Sequence, residues 1–128
     1  HPLKFNELVQ LYLGRSDALQ SLWTLYVVVI GGLLAFSSLR KQPDRVTTAL
    51  VTVLFGFFAY KNLGAIHDIT VQRFAILEAI KQSVPAGDVL VPTLSPPAYD
   101  GVRNFHVVSD LLTILTLWAM ERRRTKAA

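Results

Sequence analysis

Apolar residues along this chain gather into three blocks set apart by short polar breaks. Residues 18–39, ALQSLWTLYVVVIGGLLAFSSL, carry no charge. At ~1.5 Å per helical residue, about 22 such residues cover the ~30 Å hydrocarbon core of a bilayer. Residues 46–66, VTTALVTVLFGFFAYKNLGAI, repeat the pattern, with Lys61 and Asn62 near the far end. Residues 103–120 form a third block, whose uninterrupted apolar part is shorter. The pattern predicts an all-α integral membrane protein with three transmembrane helices.

The segments between the blocks carry their own signals. Residues 1–17 form an arm in which Leu8, Leu11 and Tyr12 fall near one face, predicting a short amphipathic helix ended by Gly14. Asp17 followed by Gln20 reads as a capping box that opens the first span. Residues 40–45, RKQPDR, read as a tight basic turn, with Pro43 and Asp44 suited to starting a helix. Residues 67–102 split in two. The first half places Ile66, Ile69, Ile76, Leu77, Ile80 and Val84 on one stripe, interrupted by Arg73, and predicts an amphipathic helix. The Asn62-Leu63-Gly64 stretch predicts a bend between it and the second span. The second half, with four prolines and two glycines, reads as a loop with DVLV as at most a short edge strand. Residues 121–128 form a basic tail.

Composition supports the membrane reading. The hydrophobic fraction is 52% and the charged fraction 17%, against about 25% charged residues in soluble domains. A chain this small has too few polar groups to cover a water-facing surface. The net charge is +4, and most of the excess sits beside the apolar blocks in Arg40, Lys41 and Arg45 and in Arg122, Arg123, Arg124 and Lys126. Such clusters set topology and contact anionic lipid rather than nucleic acid. Three spans place both clusters on one side, so the positive-inside rule predicts an outer N-terminus and a cytoplasmic C-terminus, in the inner (plasma) membrane of a bacterium. With no cysteine, disulfides and thiol chemistry are excluded.

Asp110 is the outstanding polar residue, because it lies inside the third block. Arg103, His106, Asp110 and Thr113 share one helical stripe, and Lys61 on the second span lies within ~6 Å of the same depth. The expectation is an intramembrane polar cluster of Lys61, Arg103, His106 and Asp110. It serves either as a packing clamp or as a proton or ion relay. Small residues form two further series, Gly31 and Ala35 on the first span and Thr48, Thr52 and Gly56 on the second, suited to close helix approach. His1, His67 and His106 lack paired metal-ligand spacing, so no metal site is expected. No nucleophile-elbow, zincin, P-loop or dinucleotide motif occurs, and neither an enzyme activity nor a cofactor is expected beyond bound lipid.

The sequence therefore points to a small accessory or assembly subunit that docks on a larger membrane complex or self-associates. Its partners are membrane lipid and other membrane subunits. The alternatives are a small oligomeric, holin-like pore that uses the Asp110, His106 and Lys61 cluster, and a supporting subunit of a membrane enzyme.

Overall fold

The computed structural model describes residues 3–128. Three helices, α1 (Phe5–Leu39), α2 (Arg45–Gln82) and α3 (Tyr99–Ala127), account for nearly all of it. One 3-10 turn, Val91–Thr93, lies in the link between α2 and α3, and there is no strand among the described residues. Helices α1 and α2 are both long and apolar enough to cross a membrane. Their apolar windows are mostly not buried inside the protein, unlike the core helix of a soluble domain. Val27, Val28, Val53, Leu54, Phe57, Leu111, Leu112 and Leu115 all face outward, an apolar belt suited to hydrocarbon.

Helix α1 passes straight through Gly14, and Asp17 caps nothing, contrary to the separate amphipathic arm expected from the sequence. The reason is a seam of buried residues that continues across the glycine. Leu8, Tyr12, Leu19 and Tyr26 are spaced by four and seven, which keeps one side of α1 against its neighbour. A mid-helix glycine costs only ~1 kcal/mol relative to alanine, and burying one large apolar side chain returns ~1.5–3 kcal/mol. Helix α2 likewise runs unbroken through Asn62-Leu63-Gly64, so the expected bend is absent. Its buried stripe, Phe55, Ala59, Asn62, Ile66, Thr70, Arg73, Leu77 and Ile80, steps by three and four along the whole length, while Gly64 sits on the exposed side. Arg73, which interrupts the apolar pattern, is itself on the buried stripe, with a sealed and unpartnered Nε.

Cross-helix contacts order the bundle. The end of α1, the start of α2 and the end of α3 meet where Arg124 reaches Ser37 and Thr48 reaches Glu121. Farther along, Tyr26, Asn62 and His106 meet in one layer. The α3 helix begins at Tyr99, whose ring stands edge-on to His67 at 4.8 Å. Beyond that level only α1 and α2 continue, held by a separate core of Leu8, Tyr12, Leu77, Ile80 and Val91. With 35 and 38 residues, the two helices are ~52 and ~57 Å long. About 20 residues of each suffice to cross a bilayer's hydrocarbon core, which leaves an arm of ~25 Å beyond what one crossing requires.

The link folds back over this arm. Asp88 and its neighbours make no strand: the Asp88 side chain accepts the Val91 N–H at 2.8 Å and starts the 3-10 turn. Just before it, Pro85 carbonyl accepts the Asp88 N–H, with Gly87 at φ +84° in the turn, a conformation that glycine adopts without strain. Val91 is buried in the arm core and Leu94 packs against it.

Candidate functional site

Two polar layers lie inside the bundle. The first surrounds His106, which is completely buried. Its ring stacks on Tyr26 at 4.1 Å and is flanked by Trp23. His106 Nε2 lies 2.9 Å from Asn62 Oδ1, and Nδ1 lies 2.8 Å from Asp110 Oδ2. The Tyr26 hydroxyl donates to Asp110 Oδ1 at 2.6 Å and also approaches the His106 carbonyl at 3.2 Å. Asn62 Nδ2 donates to the Leu22 carbonyl at 3.2 Å.

Counting donors fixes the protons here. A carbonyl only accepts, so the amide group of Asn62 facing Leu22 is its NH2, and its oxygen faces His106. His106 Nε2 must then donate. Between Nδ1 and Asp110 one further proton is required, because a bare nitrogen and a carboxylate both accept. Whether that proton sits on nitrogen or on oxygen, the pair as a whole is neutral. An aspartate is tolerated in an apolar segment because its charge is cancelled within the pair and both its oxygens are bonded.

The residues expected around Asp110 divide accordingly. His106 and Asp110 are together. Lys61 is exposed and outside the layer, because its neighbour Asn62, about 100° away around the helix, is the residue turned inward. Arg103 is also exposed, near Asp100 at 3.7 Å and Asn104 at 3.4 Å. Thr113 is buried and returns its hydroxyl to the Ser109 carbonyl. Sequence reading did not find Tyr26 and Asn62. Asn62 carried a legible signal, as a polar residue at seven from Phe55 and four from Ile66 on the buried stripe. Tyr26 carried none, because its partners lie on another helix.

The second layer closes the basic end. Glu121 is 2% exposed. Its carboxylate accepts from the Thr48 hydroxyl at 2.8 Å, the Asp44 N–H at 2.9 Å and Arg124 Nη2 at 3.1 Å, with Arg40 at 3.7 Å. Arg124 Nη1 donates to the Ser37 carbonyl at 2.7 Å. Arg40 adds bonds to the Asp44 carbonyl at 3.1 Å and to the Thr48 hydroxyl at 3.3 Å. The placement matches the helix dipoles: Glu121 sits at the N-terminus of α2 and Arg124 at the C-terminus of α1. Burial pushes the Glu121 carboxyl up, but the bonds from Thr48, Arg124 and Asp44 outweigh it and hold it below the usual glutamate value. Asp44 caps α2 through Thr47, whose hydroxyl and N–H hold its carboxyl low as well. Arg40 and Arg124 thus act inside the fold, whereas Lys41, Arg45, Arg122, Arg123 and Lys126 remain exposed.

The other expected residues are dispersed. Thr52 accepts the Trp118 indole N–H at 3.0 Å and donates to the Thr48 carbonyl at 2.8 Å. Gly31, Ala35 and Gly56 are exposed, and a Cβ added to either glycine meets nothing within 4 Å. His67 is exposed beside Asp68, and His1 lies outside the described residues. No grouping of three or more metal-ligating side chains occurs among the described residues.

Neither family models, curated proteins nor solved structures give a match to this chain.

Proposed function

We propose that the chain is a three-span membrane subunit whose role is docking or assembly, with the His106 layer as an internal clamp. The observation that supports this reading most is closure. Each polar side-chain atom of Tyr26, Asn62, His106 and Asp110 has a partner within the chain. A relay needs a next group to receive its proton. The closest titratable residue toward the basic end on α3 is Glu121, 11 positions or ~16 Å beyond Asp110, where it is already saturated. A holin-like pore needs a wetted path past His106, and this residue is sealed. The partner in this reading is another membrane subunit or a second copy of the chain.

In this arrangement the basic end is cytoplasmic and the two-helix arm stands outside. Five exposed cations remain at the basic end after Arg40 and Arg124 are accounted for, so the positive-inside argument keeps its force. A cysteine placed at Ala98 is expected to react with an impermeant maleimide on intact cells, and one placed at Ala128 only after permeabilisation. The reverse pattern overturns the orientation.

The docking face is tested at Gly56. Because nothing in the chain approaches it, Gly56→Leu is expected to leave the isolated subunit folded and to weaken association by ~1–2 kcal/mol, typical of close helix contacts in membranes. Thr52→Leu also removes the partner of Trp118 and so affects both. Cross-linking yield in mild detergent, beside thermal stability of the isolated subunit, separates the two effects. Unchanged cross-linking in Gly56→Leu assigns that face to lipid and removes it from the docking surface.

A further inference from the structure

An open recess of about 550 Å³ lies at the basic end, lined by Arg45, Trp118, Glu121, Arg122, Thr125 and Lys126. Three of its six residues are cations from two helices. None of Arg45, Arg122 and Lys126 makes a hydrogen bond or ion pair with another described residue. The one carboxylate in the lining, Glu121, does not offset them, because it is turned inward and occupied by Thr48, Asp44 and Arg124. The recess therefore presents uncompensated positive charge, and its three side chains are stabilised together by a single shared anion.

The recess continues into an apolar path. Trp118 forms its inner wall, with the indole N–H tied to Thr52. Three and seven residues before it, on the same face of α3, come Leu115 and Leu111, 65% and 56% exposed. From Arg122 back to Leu111 is 11 residues, ~16 Å, close to the ~15 Å depth of one leaflet. A cationic mouth, an aromatic wall at the interface and an apolar stripe one leaflet deep fit an amphiphile with an anionic head. A free phosphate accounts for the cations but leaves the stripe unused. A zwitterionic head brings its own cation toward the three already present.

We propose that this groove binds an acidic phospholipid, its phosphate held by Arg45, Arg122 and Lys126 and its acyl chains lying along Trp118, Leu115 and Leu111. The proposal rests on the reading that the chain is membrane-embedded, and it adds a specific site to that reading.

The two tryptophans allow a direct test. In Trp23→Phe, Trp118 is the remaining indole. This protein is reconstituted in vesicles where either phosphatidylglycerol or phosphatidylcholine carries brominated acyl chains, at matched mole fraction. Brominated phosphatidylglycerol is expected to quench Trp118 preferentially, with a relative binding constant on the order of 100-fold for three surface cations. Lys126→Gln is expected to lower the preference about fivefold, and the triple variant R45Q/R122Q/K126Q to bring it near one while quenching by brominated phosphatidylcholine persists. Equal quenching by the two lipids in the parent overturns the site. Quenching by neither overturns the membrane reading itself, a separate outcome. Adding inorganic phosphate is expected to leave the preference unchanged, and its loss assigns the groove to a soluble anion instead of a lipid.

Discussion

Asp110→Asn is expected to assemble and fold close to wild type, whereas Asp110→Leu is expected to lose ~1–3 kcal/mol of stability. The geometry sets the difference. An asparagine amide donates to His106 Nδ1 while its oxygen accepts from Tyr26, so both neighbours keep a partner and His106 still donates to Asn62. Leucine leaves His106 Nδ1 buried and unpaired, and the Tyr26 hydroxyl keeps only its longer bond to the His106 carbonyl. A proton relay makes a different pattern, since neither asparagine nor leucine titrates. Both variants then assemble and both fail in function. The measurement is reversible unfolding in detergent for the two variants, alongside assembly yield. An asparagine variant as unstable as the leucine one removes the clamp reading, and an assembled but inactive asparagine variant promotes the relay.

Arg124→Leu is expected to cost about 3 kcal/mol, the low end for breaking a buried ion pair. It releases the Ser37 carbonyl and leaves the Glu121 carboxylate with one cation fewer. Acid sensitivity gives a second readout. Glu121 and Asp44 are both held below their ordinary values. Each therefore adds stability that is complete above the unfolded carboxylate value, about 4.3 for glutamate, and lost as pH falls through the lowered folded value. Wild-type stability is expected to be flat at neutral pH and to fall only in the acid range. In Arg124→Leu the carboxyl loses a stabilising cation and its folded value rises toward the unfolded one, so the acid-dependent loss is smaller and is complete at a higher pH. An identical acid profile for the two proteins removes Arg124 from the role of counter-charge to Glu121.

The helical class and the two long apolar helices were legible in the sequence because block length and hydropathy are local properties. The contiguity of α1 and α2 was not. Gly14 and Gly64 are local break signals and Asp17 a local start signal, and the buried seams that override them depend on where the neighbouring helix lies. Within the candidate site, the His106–Asp110 contact follows from i,i+4 spacing on one helix. Tyr26 and Asn62 come from other helices, and the alignment of those helices is not written at single positions. The same limit applies at the basic end. Arg40 and Arg124 look like the arginines beside them, and only the inward Glu121, a lone acid in a basic run, distinguishes their surroundings.

The neutral Asp110–His106 pair also has a consequence for synthesis. The α3 helix brings both residues of the pair, but the groups that complete the layer, Tyr26 and Asn62, belong to α1 and α2. Those helices precede α3 in the chain, and both are long and apolar enough to cross a membrane. A receiving surface thus stands ready before the least apolar helix arrives. Under the three-span reading proposed above, a chain permuted to begin with α3 would present its aspartate to lipid before anything was there to meet it.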